Sequence, residues 1–275
     1  MNMTLRQSQR AALRRSLQSC FFTATEKILI HSGNRGKLNT RFRASWKWTL
    51  SICSVLQQGL NDDTHISELK EKCTELGIHP SDGPPHDHHK LFTGAGIGSM
   101  PNEALSNGLR CLSKKALLSH LDKYEKKGIK DPWQHILPED IGSCFEIIRE
   151  CQPIETADSL KLGFSKERRS KGVHHTPFDV TAHMVDLSLN KIEIPDDEIP
   201  NDFVVADLAV GAGAFLLQAA RIISNMTRVD IDIILKHHII GFDIDSEVLN
   251  MCSLCFHLEN MCKTPQSSYN LYKVD

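Results

Sequence analysis

Three aspartates mark the chemistry this chain could perform. Asp207, Asp243 and Asp275 each stand at the end of a short, largely apolar run, and Gly211-Ala212-Gly213 follows the first of them. A carboxylate is acceptor-only, so at a strand tip it suits the paired hydroxyl donors of a ribose. Glycines in the adjoining turn let the backbone approach a ligand that a side chain would hold off. In an open parallel sheet, ligands lie beyond the carboxyl ends of the strands, where all three acids fall. A Gly-x-Gly turn with one acid would also suit NAD or FAD, but two details weigh against a dinucleotide. Its third glycine would occupy position 216, which is Leu. Its ribose acid comes about 20 residues on, whereas Asp243 lies 30 residues after Gly213. The turn therefore accommodates something without a pyrophosphate.

Strands and helices must alternate to place acids in this way. Phe203-Val204-Val205-Ala206-Asp207-Leu208, bracketed by Pro200-Asn201-Asp202, predicts a buried parallel strand. Ala214 to Ile223 predicts a packed helix, and Ile231 to Leu235 a further helical turn. His238-Ile239-Ile240-Gly241-Phe242 predicts a second strand. Ser246 to Met261 predicts a helix capped by Ser246 with Glu247 in its first turn, and Leu271-Tyr272-Lys273-Val274 opens a third strand. This rhythm implies an α/β fold with a doubly wound, Rossmann-like parallel sheet, incomplete over these residues. Upstream, residues 51–165 are expected to form a mainly helical domain. Leu117, Leu118, Leu121 and Tyr124 recur at helical spacing, and Pro138-Glu139-Asp140 suits the first turn of a helix running through Ile141, Phe145 and Ile148. The ligand-binding part is expected over 166–275.

Three motifs in this order resemble a known family. Val205-Ala206-Asp207-Leu208-Ala209-Val210-Gly211-Ala212-Gly213-Ala214-Phe215-Leu216 resembles the Asp-Pro-Ala-Cys-Gly-Ser-Gly-Ala-Phe-Leu motif of N6-adenine DNA methyltransferases from restriction-modification and phage-defence systems. Lys171-Gly172-Val173-His174-His175-Thr176-Pro177 is similar to that family's Gly-Val-Tyr-Tyr-Thr-Pro motif, and Ile240-Gly241-Phe242-Asp243-Ile244-Asp245 to its Gly-Val-Asp-Ile-Asp strand. Glu139 to Glu146 resembles the helix that commonly precedes the first motif. The resemblance covers about residues 138–275 and implies S-adenosylmethionine as cofactor. By motif position, Thr176 and Pro177 would line its methionine moiety, and Asp207, Ala209, Gly211 and Gly213 would surround the amino and carboxylate groups. Phe215 would pack beside the cofactor, although a core aromatic at a helix start reads nearly as well. Asp243 would hold the ribose hydroxyls, Ile244 would lie against the adenine ring, and Asp275 would accept from its amino group. Leu208, Val210 and Ala212 depart from the family's Pro, Cys and Ser, and His174 and His175 replace its aromatics.

Composition sets the frame. The 275 residues include 40% hydrophobic and 24% charged residues with a net charge of -2, an ordinary globular composition. No uncharged apolar run approaches the roughly 18 residues of a membrane span, and a cytoplasmic location is expected. Nine cysteines, an odd and scattered set, fit reduced thiols better than a disulfide framework. Cys252-x-x-Cys255, with His257 and Cys262 nearby, reads as the small residues of one packed helix, and no metal site is expected. Neither the histidines of His86-Asp87-His88-His89 nor the glycines of Gly94 to Gly98 carry a second feature that would make a site. Residues 1–50 form a basic segment of ten Lys/Arg against one acid, Glu26. With Phe42, Trp46 and Trp48 interleaved, it reads either as a phosphate-contacting arm or as a solvated face.

The resemblance further implies a catalytic Asn/Asp-Pro-Pro-Tyr/Phe motif a few tens of residues after the third strand, beyond residue 275. There, polar groups accept from the amino group of an adenine flipped out of double-stranded DNA, and an aromatic stacks on it. Asp131-Pro132-Trp133 matches superficially and reads as a helix start. The expectation is a split enzyme, in which a second subunit carries the catalytic motif and the DNA reader. A non-catalytic cofactor-sensing or scaffold subunit is the alternative, a truncated fragment is another, and RNA or protein acceptors stay open.

Overall fold

The computed structural model describes residues 5–33, 36–80, 90–92, 100–123, 128–156, 159–164, 176, 178–189, 191–192, 194, 199–260 and 269–274. They fall into two compact units, residues 1–173 and 174–275. The first unit consists of α1 (Gln7–His31), α2 (Leu38–Gln57), α3 (Ile66–Glu75), α4 (Asn102–Cys111), α5 (Lys114–Asp122), α6 (Pro138–Ile148) and the strands β1 (Cys151–Glu155) and β2 (Leu160–Phe164). Leu13, Leu17, Ala24 and Ile28 line one face of α1 at helical spacing and are buried where α2, α4, α5 and α6 pack around it. The charge boundary near residue 50 falls inside α2. Phe42, Trp46 and Trp48 are core residues of that helix, with Trp46 edge-on to Phe145 of α6 at 5.7 Å. Buried in this way, they offer no stacking platform for bases. Even Lys47 is buried, its ammonium 5.7 Å from the Trp46 ring centre.

The basic residues of α1 are partly consumed inside the same unit. Asp140, with a side chain only 2% exposed, accepts from Arg10 Nη2 at 2.5 Å and Arg14 Nε at 3.0 Å. It also accepts from the Leu137 backbone N–H at 2.9 Å, closing the first turn of α6, in which Pro138 stands as expected. This carboxylate ties the N-terminal helix to a helix some 130 residues away in sequence.

Two other details refine the sequence reading. β1 and β2 pair antiparallel as a hairpin, in register from Cys151↔Phe164 to Glu155↔Leu160, inside the region expected to be mainly helical. Pro153 within β1 and a five-residue length hid the alternation, because proline demotes a run as a strand. Asp131-Pro132-Trp133, read as a helix start, opens a short 3-10 helix, Trp133–His135, with Asp131 Oδ1 accepting from Trp133 N at 3.2 Å. Tyr124, Cys262, the histidines at 86–89 and the glycines at 94–98 lie outside the described residues.

The second unit contains α7 (Phe178–Leu189), β3 (Val205–Asp207), α8 (Ala214–Thr227), α9 (Ile231–His237), β4 (Ile239–Asp243), α10 (Ser246–Glu259) and β5 (Leu271–Lys273). Its sheet is parallel, in the order β3-β4-β5, with Asp207 beside Gly241 and Asp243 beside Lys273. α7 packs on α8, while α8 and α10 pack on the strands. Arg221 of α8 and Glu259 of α10 join through two bonds of 2.7 and 2.5 Å. Gly241 shows which face the helices cover, because a side-chain carbon there would meet Leu216 of α8 at 3.3 Å and Leu271 at 2.7 Å. Strand side chains alternate, so Val204, Ala206, Ile240, Phe242, Tyr272 and Val274 share the opposite face. On that face Val204, Ala206, Tyr272 and Val274 are exposed, with Phe242 and Tyr272 side by side at 5.7 Å.

Replacing Asp140 with Ala leaves two inward-facing arginines without their shared carboxylate. The expected cost is about 3–5 kcal/mol, as for a buried pair that loses one partner. All three tryptophans belong to the first unit, so urea unfolding followed by their fluorescence reads it; a loss below about 1 kcal/mol would contradict the role given to Asp140.

Candidate functional site at the strand tips

The carboxyl ends of β3 and β4 are knit together by backbone and carboxylate hydrogen bonds. After Asp207 the chain turns through Leu208, Ala209 and Val210 into the glycines. Asp207 Oδ1 accepts from Ala209 N at 3.0 Å, bending the chain immediately after β3. Val210 N donates to Phe242 O at 2.9 Å, pulling the turn back onto β4, and Gly213 N donates to Val210 O at 2.9 Å. Gly211 and Gly213 have φ of +55° and +89°, a region that favours glycine. Gly213 has a second reason to be glycine: a side-chain carbon there would meet Cys252 Sγ at 2.7 Å and the Phe256 ring at 3.0 Å, both on α10. Cys252 and Cys255 are fully buried, and Cys252 is the surface on which the turn rests, in keeping with a packing role for the Cys-x-x-Cys pair.

Asp243 is the hub. Its Oδ2 accepts from Gly211 N at 3.2 Å, across from β4 to the glycine turn, and its Oδ1 accepts from Asp245 N at 3.0 Å. Each oxygen retains capacity for a further donor, so the carboxylate is oriented without being saturated. Asp243 is half-buried, and Ile244 beside it is 72% exposed. Leu208, after β3, is 78% exposed. Two bare apolar side chains thus flank two carboxylates at neighbouring strand tips. Just past the turn, the first turn of α8 leaves backbone N–H groups without helical acceptors, a setting that suits an anionic group. Phe215 sits half-buried in that turn.

The structure therefore brings Asp207, Ala209, Gly211, Gly213, Phe215, Asp243 and Ile244 to one end of one sheet. Thr176 is half-buried just ahead of α7, while Pro177 and Asp275 lie outside the described residues. One expectation is corrected: α10 is capped by Asp245, whose side chain accepts from Glu247 N and Val248 N, and Ser246 is its first helical residue. The serine invited the cap assignment, but Asp245 is one residue nearer the end of β4 and has the longer acceptor reach. Asp245 was missed as part of the site for the same reason. The signal that would have found it is Asp243-Ile244-Asp245-Ser246-Glu247, two acids each able to bond a backbone N–H two residues on. Among the described residues no cluster of three or more His, Cys, Asp or Glu could hold a metal ion. None of the described helices is long and apolar enough to cross a membrane.

Comparison with known proteins finds the following similarities. Residues 161–268 match the family model described as N-6 DNA methylase. Similar solved structures include the DrdV–DNA complex, with 12% identity, a TM-score of 0.41 and coverage of 97% of this chain and 26% of that one. Another is a modification subunit of a candidate type I restriction enzyme from Vibrio vulnificus YJ016, with 14% identity, a TM-score of 0.36 and coverage of 95% and 55%. The chain thus spans about a quarter of the first and just over half of the second. No curated protein matches it.

A Gly213→Ala substitution forces an L side chain into a positive-φ turn and against Cys252. The expected destabilisation is about 1–3 kcal/mol, read as a lowered thermal midpoint by circular dichroism. Adding Cys252→Ala relieves the clash but not the φ strain, so the double substitution should cost less than the sum of the two. Strict additivity would contradict the contact.

Proposed function

We propose, on the premise that residues 161–268 are an N-6 DNA methylase segment, that residues 1–275 supply the S-adenosylmethionine-binding half of a DNA adenine-N6 methyltransferase. The observation that carries this reading is the hydrogen-bonded unit formed by Asp243, Gly211 and Asp245 at the tips of adjacent parallel strands, within the matched segment. These residues fit the cofactor chemically. Asp243 has spare acceptor capacity for a ribose diol, and Ile244 offers an uncovered apolar side chain for an adenine face. When bound, S-adenosylmethionine supplies an electrophilic methyl group on a sulfonium. Asp207, Ala209, Gly211 and Gly213 would enclose the methionine end, Thr176 and Pro177 would line it, Phe215 would pack alongside, and Asp275 would accept from the adenine amino group.

The residues that touch the target base come, in this reading, from polypeptide other than residues 1–275. A partner chain carries the Asn-Pro-Pro-Tyr motif and reads double-stranded DNA. The uncovered face of the sheet fits further polypeptide packing there. Parallel sheets are stable with both faces buried, whereas here Val204, Tyr272 and Val274 are exposed opposite the helices. A second layer of helices on that face would complete a doubly wound sheet. Holding cofactor and base in line would then be the main catalytic contribution, since methyl transfer to a positioned amine depends chiefly on orientation.

Calorimetric titration of the chain with S-adenosylhomocysteine, alone and assembled with its partner, tests the binding half. Uptake is expected, and Asp243→Ala should weaken it about tenfold or more, the size of one lost charge-assisted hydrogen bond. Undiminished binding by Asp243→Ala would overturn the assignment. Methyl transfer by the assembly, set against uptake without any transfer, separates the enzyme from a cofactor-sensing scaffold.

A further inference from the structure

We propose that Asp245 is a positioning residue for nucleoside recognition, acting through Asp243; this rests on the cofactor reading above and deepens it. The relay is visible bond by bond. Asp245 Oδ1 accepts from Glu247 N at 2.8 Å and Val248 N at 3.4 Å, fixing the start of α10. With its side chain tied to the helix, the Asp245 backbone is held at φ -108° and ψ 110°. Its own N–H is thereby aimed back at Asp243 Oδ1, 3.0 Å away. Gly211 N secures the other oxygen at 3.2 Å. The plane of the Asp243 carboxylate is therefore set from two sides, by the glycine turn and by the cap of α10.

That plane matters for one type of ligand feature. A vicinal diol presents two O–H donors at fixed separation, and both oxygens of a carboxylate must face them together to accept both. A carboxylate pinned at a single oxygen is free to turn about its terminal torsion, which is broad and weakly restrained. Loss of the Asp245 cap releases the Oδ1 side while leaving Gly211 in place. Recognition of the diol weakens, whereas contacts to the base and to the amino-acid end do not depend on this plane. The account differs from simple helix capping, in which loss of Asp245 lowers stability and leaves ligand preference untouched.

The test compares the affinity of the full chain for S-adenosylhomocysteine with that for its 2′,3′-dideoxy analogue by calorimetry. The unsubstituted chain should favour the diol by about tenfold or more. Asp245→Ala should reduce that preference to within about threefold of unity, and Asp245→Asn, an equally good cap, should retain it. Asp245→Gly also removes the side chain but keeps most of the helix start, so it decides the matter if the alanine variant fails to fold. The diol preference is the deciding readout. Uptake with an unaltered preference in the alanine and glycine variants overturns this inference and leaves the cofactor reading standing. No uptake by the unsubstituted chain overturns both.

Discussion

The second unit depends on a carboxylate gripped by two backbone amides. Asp243 stands at the end of β4 and takes one N–H from a turn that follows β3 and another from the residue that starts α10. Its position is possible because β3 and β4 are parallel neighbours in a register that sets Asp207 beside Gly241, so that Asp243 projects one step beyond. The glycine turn must then fold back to reach it. It does so with two positive-φ residues and with Cys252 and Phe256 pressed against the space where Gly213 lacks a side chain. Turn, strand tip and helix start share one set of bonds, and the chemistry proposed for the site follows from what that carboxylate can still accept.

The first unit makes a different use of charge. Two of its arginines, Arg10 and Arg14, point inward to Asp140, and Lys47 lies buried against Trp46. Part of a segment that is basic by count is therefore structural, with Arg10 and Arg14 joining α1 to α6. Burial also pushes the Cys20 and Cys73 thiols up to about 12, which keeps them protonated and unreactive inside the helices.

How much of this was legible in the sequence varied with the physics of each element. β3, β4 and β5 were readable as short, largely apolar runs with Pro200 and Gly211 as turn residues around the first, although the burial expected of β3 is not found. α8 and the start of α6 were readable from apolar spacing and from Pro138. The site acids could be placed because strand ends are sharp, so Asp207 and Asp243 fell together at one edge. The hairpin of β1 and β2 was not legible, since Pro153 broke a pattern only five residues long. Nor was the fate of Phe42, Trp46 and Trp48: composition gives the types of neighbouring residues, but only packing against α6 shows that the aromatics are inside. The cap of α10 went to Ser246 because two adjacent residues both suit it, and only the backbone angles choose Asp245.

Much of the face of the sheet opposite Gly241 is uncovered, and the carboxylates sit at one end of that sheet. The most direct measurement is ultraviolet cross-linking of methyl-tritiated S-adenosylmethionine to the assembled protein, followed by mapping of the labelled peptide. The account predicts label in the second unit, on peptides spanning Asp207 to Leu216 or Ile240 to Asp245, removed by excess unlabelled cofactor. Label confined to residues 1–173, or none that competes, would contradict it.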